Sequence, residues 1–128
     1  MLSAIIIDDS VIMRAQLRKL LVLAGFTVLA EAGTADELVP LYEKHRPDLI
    51  TLDIVMPGRD GATAAAELLG RHPEAMVVMC TSMTTRDKIL ACKQAGVAHY
   101  LLKPFIQDHA VAIFRKAGER SRATREAQ

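Results

Sequence analysis

The sequence predicts an α/β domain in which a doubly wound parallel β-sheet is covered by helices on both faces. Five apolar runs of strand length alternate with stretches that have the length and the three- to four-residue period of amphipathic helices. The runs are almost continuously apolar, as is typical of strands that are buried on both faces of a parallel sheet. They are Ala4–Ile7, Thr27–Ala30, Leu49–Leu52, Met76–Cys80 and Ala98–Leu102.

The first helix has clear start and stop signals. Ser10 is a candidate N-cap, and Gly25 stands where a C′ glycine ends many helices. Apolar residues between them fall on one side at helical spacing, which predicts a helix buried along that side. These residues are Met13, Leu17, Leu20, Leu21 and Ala24.

The second helix carries conflicting signals. Thr34 and Glu37 resemble a capping box, yet Pro40 lies inside the predicted helix. A proline within a helix removes a hydrogen bond and clashes with the preceding turn. We therefore expect this helix to start late or to bend.

Capping residues and glycines mark the later helices. Asp60 can cap a third helix, which we expect to run through Leu69 and to close at Gly70. Thr84 and Asp87 resemble a capping box for the fourth helix. We predict the fourth helix over Arg86–Ala95 and the fifth over Ile106–Gly118, followed by a frayed polar tail, Glu119–Gln128.

The composition is that of one globular domain. Of the 128 residues, 51% are hydrophobic, and 16 basic against 15 acidic side chains leave a net charge of +1. A chain of this size can bury a core without disulfides or a structural metal. The charge balance gives no general attraction to nucleic acid or to an anionic membrane. We expect a cytoplasmic protein, because no signal peptide and no run of about eighteen apolar residues is present. We also expect a monomer.

Four of the predicted strands end in polar residues that an apolar strand does not need. These are Asp8-Asp9, Asp53, Thr81-Ser82 and Lys103-Pro104. Ligands of open α/β sheets bind outside the carboxyl ends of the strands, so these positions converge on one small volume. A close pair of carboxylates costs about 1 to 4 kcal/mol there. A magnesium ion would offset this repulsion and keep coordination positions open to phosphate oxygens.

These residue types suggest phosphoryl transfer to a carboxylate. Lys103 offers a compact positive charge for a phosphate oxygen, and Thr81 offers a hydroxyl. Asp53 is the natural acceptor because it stands alone at a strand end. Asp8 and Asp9 are adjacent and therefore better placed to share a cation.

The sequence resembles the receiver domains of two-component response regulators over about residues 3–118. The segments Ser10–Arg14 and Cys80–Met83 add a similarity to stand-alone receivers of the chemotaxis CheY type. The resemblance implies a flavodoxin-like five-stranded sheet of order 2-1-3-4-5, in a domain of residues 1–120 followed by a tail of residues 121–128. The motifs that carry it are Asp8-Asp9 after Ile5-Ile6-Ile7, the segment Asp53–Gly61, Thr81-Ser82 and Lys103-Pro104-Phe105.

The resemblance also implies how the site would work. Asp53 would accept a phosphoryl group from a histidine kinase while Mg²⁺ is bound. Asp9 and Asp53 would ligate the metal directly, Asp8 mainly through water, and Val55 through its backbone carbonyl. Lys103 would contact the phosphoryl group. The protein would then be a signalling phosphoacceptor that catalyses only its own phosphorylation and dephosphorylation.

A further implication of the resemblance concerns signal output. Thr81 would be the switch hydroxyl and Tyr100 the switch aromatic, and the bond from Lys103 to Pro104 is expected to be cis. Movement of these side chains would alter the face made by the fourth helix, the fifth strand and the fifth helix. A downstream protein would bind this face, and a flagellar motor switch is one candidate.

Three alternatives stay open at this point. A flavodoxin would need a loop of Ser, Thr and Gly to bind phosphate after the first strand, but Asp8-Asp9-Ser10 stands there and would repel phosphate. Magnesium-dependent aspartyl phosphatases usually carry Asp-x-Asp at a strand end, and Asp53-Ile54-Val55 lacks the second acid. The third alternative is a receiver module that belongs to a longer regulator with a DNA-binding or enzymatic output domain.

Overall fold

The structure of the chain is a computed structural model that describes residues 1–82 and 86–127. Strands and helices alternate along these residues, as the apolar pattern predicts. A 3-10 turn, Ala35–Glu37, precedes the second α-helix. The strands are β1 (Leu2–Ile7), β2 (Phe26–Ala32), β3 (Leu49–Asp53), β4 (Val77–Thr81) and β5 (His99–Leu102). The α-helices are α1 (Val11–Leu23), α2 (Leu38–His45), α3 (Gly61–Arg71), α4 (Arg86–Ala95) and α5 (Gln107–Ala127).

The strands form one parallel sheet of order β2-β1-β3-β4-β5, which confirms the predicted fold class and strand order. Every residue of the central strands β3 and β4 is buried, which explains why the sequence of these strands is apolar without alternation. The chain crosses from β2, on one side of β1, to β3 on the other side. The strand order therefore reverses between β1 and β3, and their carboxyl ends border the crevice where such sheets bind ligands.

Helices cover both faces of the sheet and create two hydrophobic cores. Helices α1 and α5 lie on one face, and α2, α3 and α4 lie on the other. The first core includes Ile6, Leu17, Leu21, Ala110 and Phe114. The second core includes Ile5, Leu38, Tyr42, Leu68 and Cys92.

The predicted caps of α1 and α3 are present. The Ser10 hydroxyl accepts a hydrogen bond from the Met13 N–H at 3.2 Å, and Gly25 after α1 has a φ of 94°. The Asp60 carboxylate accepts a hydrogen bond from the Thr63 N–H at 2.8 Å. Helix α3 nevertheless continues beyond the predicted end, because Gly70 keeps a helical conformation and the helix ends at Arg71.

The second helix starts late, as predicted. Pro40 lies in the first turn of α2, where an N–H group would have no partner within the helix in any case. The capping box predicted from Thr34 and Glu37 is wrong, because neither side chain caps a backbone N–H group. The Thr34 hydroxyl instead bonds the Glu37 carboxylate at 3.1 Å. The capping box predicted from Thr84 and Asp87 falls partly on residues outside those that the structure describes.

The frayed tail predicted after residue 118 is wrong, because α5 continues to Ala127. At Gly118 the helix passes so close to the sheet that a Cβ atom would lie 2.9 Å from atoms of both Leu2 and Phe26. Ser121, one turn later, is 4% exposed. This packing holds the helix where its sequence alone suggests fraying. None of the helices in the described ranges is long and apolar enough to span a bilayer.

Candidate functional site

Three carboxylates meet where β1 and β3 end. Asp8 and Asp9 follow β1, Asp53 is the last residue of β3, and one carboxylate oxygen from each lies within 4.8 Å of the others. Asp8 is fully buried and Asp53 is 7% exposed, whereas Asp9 faces solvent. The parallel sheet thus brings together acids that are more than forty positions apart in the sequence.

Lys103 places a positive charge against this acidic cluster. Its ammonium nitrogen lies 3.3 Å from a carboxylate oxygen of Asp53 and 3.5 Å from one of Asp8. The backbone N–H of Lys103 donates a hydrogen bond to the carbonyl of Thr81 at 2.7 Å, which fixes the lysine beside the end of β4. The peptide bond between Lys103 and Pro104 is cis, as expected.

The pKa values show that Lys103 only partly compensates the acids. Burial raises the pKa of Asp53, and the charge of Asp8 raises it further, although Lys103 acts in the opposite direction. Burial alone would lower the pKa of Lys103, but the attraction of Asp53 and Asp8 outweighs burial and raises it. The raised pKa of Asp53 thus reflects mainly its burial, whereas the raised pKa of Lys103 reflects the negative charge of the two acids.

The acidic cluster fits a divalent metal ion. One carboxylate oxygen of Asp8 accepts a hydrogen bond from the Ser10 N–H at 2.9 Å. The other oxygen is buried and has no hydrogen-bond partner among residues 1–82 and 86–127, with the Lys103 ammonium at 3.5 Å. Unsatisfied buried oxygens are costly, and oxygen-only sites suit hard cations such as Mg²⁺. The cluster can therefore bind a metal.

A cavity of about 140 Å³ opens beside Asp53. It is bounded on one side by the residues that follow β3 and on the other by the end of β4 and by Lys103. The Val55 N–H donates to the Asp53 carboxylate at 3.3 Å, and the Val55 side chain is half exposed. Asp53 and Lys103 thus line the same cavity. The lining residues are Asp53, Ile54, Val55, Thr81, Ser82 and Lys103.

Tyr100 lies away from the acidic cluster, on the face of β5 that packs against the second core. Its hydroxyl donates a hydrogen bond to the carbonyl of Val97 at 3.1 Å, and the Lys93 ammonium lies 5.9 Å from the ring centre. Burial raises the pKa of Tyr100 to about 12. Half-buried between α4 and β5, the ring borders the face that was predicted as the output surface.

Two contacts to the backbone of the cluster were not predicted from the sequence. Arg14 donates a hydrogen bond to the main-chain carbonyl of Asp8 at 2.6 Å. Gly61 begins α3 in direct contact with the backbone of Asp53. The Asp60-Gly61 pair just before a predicted helix was the available signal for the glycine. Arg14 lies off the apolar side of α1, and the pattern of this helix does not indicate a contact with Asp8.

Comparison with known proteins identifies the family of the chain. Residues 4–115 match the family model of the response regulator receiver domain. The chain belongs to this family. The chemotaxis protein CheY of Bacillus subtilis is 37% identical to this receiver domain over 112 residues, which cover 88% of this chain and 93% of that protein.

Longer relatives and solved structures also match this receiver domain. The transcriptional regulatory protein PdtaR of Mycobacterium tuberculosis is 38% identical over 85% of this chain, which spans only 53% of PdtaR. A crystal structure of a CheX-CheY-BeF3-Mg²⁺ complex from Borrelia burgdorferi aligns with a TM-score of 0.83 and 26% identity, covering 90% of this chain and 87% of that chain. The fold is therefore that of a flavodoxin-like receiver.

Proposed function

We propose that this receiver domain is a cytoplasmic response regulator that is activated when a histidine kinase transfers a phosphoryl group to Asp53. The observation that carries the proposal is the nearly buried Asp53 carboxylate, which faces a cavity with Lys103 at 3.3 Å. Apart from its own phosphorylation and dephosphorylation, the domain would catalyse no reaction.

In the proposed reaction, a carboxylate oxygen of Asp53 forms a bond to phosphorus while the bond from phosphorus to the donor's imidazole nitrogen breaks. The imidazole leaves with the electron pair and takes up a proton. In this reaction Lys103 would face the negatively charged oxygens of the phosphoryl group. Asp53 and Asp8 raise the pKa of Lys103 and so keep its ammonium charged. Bound Mg²⁺ would supply further positive charge to the phosphoryl oxygens. Asp8, Asp9 and Asp53 would hold it, together with the backbone carbonyl of Val55.

We propose that phosphorylation is read through Thr81 and Tyr100. A phosphoryl group on Asp53 adds negative charge and acceptor oxygens to the cavity that Thr81 lines. The Thr81 hydroxyl, which donates to the Ser82 carbonyl at 3.0 Å, would turn toward these oxygens. Space would open beside β5, and Tyr100 would shift inward from its half-buried position. A partner protein would then bind the changed face of α4, β5 and α5.

Chemotaxis is the pathway that the relatives favour. Several matched proteins are chemotaxis proteins CheY, and the chain covers 93% of the Bacillus subtilis protein and 100% of the Listeria monocytogenes protein. On this basis we propose a protein partner in chemotaxis, with a flagellar motor switch as one candidate. A membrane or nucleic acid is not expected to be a direct partner.

A second function has its own supporting observation. This chain spans 53% of PdtaR and 29% of the NtrX chain of Brucella abortus, so receivers of this kind also occur within longer proteins. We therefore keep the alternative of a receiver module in a longer regulator. Immunoblotting of the native protein in its own cells separates the two, because a mass well above 14.0 kDa would exclude a stand-alone receiver.

The phosphoacceptor is tested with acetyl phosphate and Mg²⁺. Intact-mass measurement should show one phosphoryl group on the wild type and none on Asp53→Asn. Asp108→Asn is the matched control, because Asp108 is an exposed acid in the first turn of α5. Equal labelling of wild type and Asp53→Asn would exclude Asp53 as the acceptor.

The metal site is tested by titrating Mg²⁺ and following backbone amide shifts by NMR. Asp9→Ala should weaken binding more than Asp8→Asn, because Asp9 is proposed as a direct ligand and Asp8 as one that acts mainly through water. Asn at position 8 keeps an acceptor for the Ser10 N–H and so protects the fold. Undiminished affinity in Asp9→Ala would contradict the proposed ligand set.

The switch is tested with beryllofluoride, which stands in for the phosphoryl group. Amide shifts in the wild type should extend from the loop after Asp53 to Tyr100 and α4. In Thr81→Ala they should stay near Asp53, and Thr81→Ser, which keeps the hydroxyl, should restore the spread. The same spread in Thr81→Ala would remove the hydroxyl from this route.

A further inference from the structure

We propose that Arg14 is a positioning residue that holds the peptide group between the metal-binding acids Asp8 and Asp9. The inference deepens the proposed function, because it concerns the same acidic cluster. It rests on a contact between a side chain of α1 and the backbone at the end of β1.

The contact acts on a single peptide plane. A guanidinium nitrogen of Arg14 donates a hydrogen bond to the carbonyl oxygen of Asp8 at 2.6 Å. This carbonyl belongs to the peptide that links Asp8 to Asp9, so its direction determines how the backbone enters Asp9. A charged donor makes such a bond shorter and stronger than a neutral donor would.

The other polar groups of Asp8 are held by different residues. Its N–H donates to the carbonyl of Ala32 on β2 at 3.0 Å, and its carboxylate accepts from the Ser10 N–H at 2.9 Å. The carbonyl lies beyond the last residue of β1, where the pairing between strands ends. Arg14 therefore supplies the bond that the sheet does not supply. Asp9 itself is exposed. In this proposal its carboxylate is directed by the backbone that Arg14 holds.

Arg14 is itself anchored to the neighbouring strand. Its guanidinium lies 3.6 Å from the carboxylate of Glu31 on β2, and the Arg14 side chain is 21% exposed. Arg18, one turn further along α1, binds the same carboxylate with a hydrogen bond of 2.8 Å and is 50% exposed. The two arginines thus share one acidic partner, but the carbonyl of Asp8 is contacted by Arg14. This difference supplies a matched control.

The experiment compares Arg14→Met with Arg18→Met. Methionine keeps much of the length of arginine and removes every donor. We expect Arg14→Met to weaken Mg²⁺ binding about 10-fold, the scale seen when residues that orient metal ligands are replaced. Arg18→Met should bind Mg²⁺ like the wild type. Arg14→Lys, which keeps a charged donor, should recover part of the affinity. Urea unfolding of each variant checks that the fold is retained.

A metal-free measurement separates this inference from the proposed metal site. In the absence of Mg²⁺, Arg14→Met should shift the carbonyl ¹³C resonance of Asp8 and lower the amide order parameter of Asp9. Arg18→Met should change neither. If the wild type bound no Mg²⁺ but these changes appeared, the metal site would fail and the positioning role would stand.

Two outcomes would overturn the positioning role. The first is an Arg14→Met variant with unchanged Asp8 and Asp9 resonances and unchanged Mg²⁺ affinity. The second is an equal loss of Mg²⁺ affinity in Arg14→Met and Arg18→Met, because this would assign the effect to positive charge or to the shared Glu31 rather than to the carbonyl contact.

Discussion

Gly61, the first residue of α3, lies directly against the main-chain carbonyl of Asp53. A Cβ atom at position 61 would overlap the carbonyl oxygen and lie 2.9 Å from the carbonyl carbon. The Gly61 N–H also donates to the carbonyl of Ile54 at 2.8 Å. Glycine is the residue that permits so close a backbone approach. The end of β3 and the start of α3 are therefore locked together at the proposed phosphoacceptor.

Replacing Gly61 by Ala should destabilise the fold and displace Asp53. The added methyl group cannot be accommodated without moving backbone, so we expect a loss of about 1 to 3 kcal/mol in the free energy of unfolding. Labelling by acetyl phosphate should fall as well. Urea unfolding and intact-mass measurement test the two effects.

The matched control is Gly70→Ala in the same helix. A Cβ atom at Gly70 would meet no atom within 4 Å in the described part of the chain. Alanine is also the better helix former, so stability should rise by up to about 1 kcal/mol. Equal stability of the two variants would show that the contact with Asp53 is not tight.

The acidic cluster could be predicted from sequence because the parallel sheet leaves little freedom at this edge. Once Asp8 and Asp53 are placed at the carboxyl ends of neighbouring strands, the fold must bring them together. Lys103 follows from the same reasoning at the end of β5. The identity of these residues and the alternation of strands with helices along the chain were sufficient, since no detail of side-chain packing was needed.

The contacts of Arg14 and Gly118 could not be predicted, for a different reason. Arg14 reaches back across the turn before α1, and only the side-chain direction shows that it meets a carbonyl. Gly118 packs against Phe26, a residue far away in sequence, and this packing continues α5 through a polar segment. The local propensities of the sequence indicate neither of these contacts. Tertiary contacts therefore decided both features.

Asp53→Asn should stabilise the metal-free protein at pH 7. The native pKa of Asp53 is raised, mainly by burial, above the value of about 3.9 of an unfolded chain. The native state therefore binds a proton at Asp53 more tightly than the unfolded chain does. The stability that Asp53 contributes falls as pH rises from the pKa of the unfolded chain through the pKa of the native state. Asparagine removes a carboxylate that burial and Asp8 disfavour, and we expect a gain of about 1 to 2 kcal/mol.

The stabilisation by Asp53→Asn is measured by urea unfolding between pH 3.5 and 7. The difference between variant and wild type should grow with pH. Added Mg²⁺ should narrow it at pH 7, because a ligand that binds only the folded wild type raises its stability. A variant less stable than the wild type at pH 7 would mean that the ion pair with Lys103 stabilises the Asp53 carboxylate more than burial and repulsion by Asp8 destabilise it.

His99 should make the fold sensitive to mild acid. Burial, followed by the charges of Arg120 and Lys116 on α5, lowers the pKa of His99. Its Nε2 atom is buried without a hydrogen-bond partner among the described residues. Below about pH 6.5 the unfolded chain binds a proton that the native state resists, so the free energy of unfolding falls as pH drops.

The contribution of His99 is isolated with His99→Gln, which cannot titrate. Between pH 7.5 and 5.5, the free energy of unfolding of the wild type should fall more than that of His99→Gln. His109→Gln serves as control, because His109 is exposed on α5. An identical pH dependence in all three proteins would rule out His99 as the source.

Thr51→Val should stabilise the protein without changing phosphorylation. Thr51 is fully buried in β3, and its hydroxyl has no hydrogen-bond partner within residues 1–82 and 86–127. Its neighbours in register are Ile6 and Val78, both part of the core under α1 and α5. Valine has nearly the same shape and removes an unsatisfied polar group, so the free energy of unfolding should rise by about 1 kcal/mol.

The companion variant Thr51→Ser keeps the hydroxyl and removes the methyl group. It should lose about 1 kcal/mol, the scale for one buried methyl group, so urea unfolding should rank valine above threonine and threonine above serine. A valine variant less stable than the wild type would show that the hydroxyl is bonded. Asp53 lies two residues further along β3, and its carboxylate is held by Lys103 and the Val55 N–H rather than by Thr51. The rate of labelling by acetyl phosphate should therefore stay unchanged in the valine variant, which separates packing of the strand from the chemistry at its end.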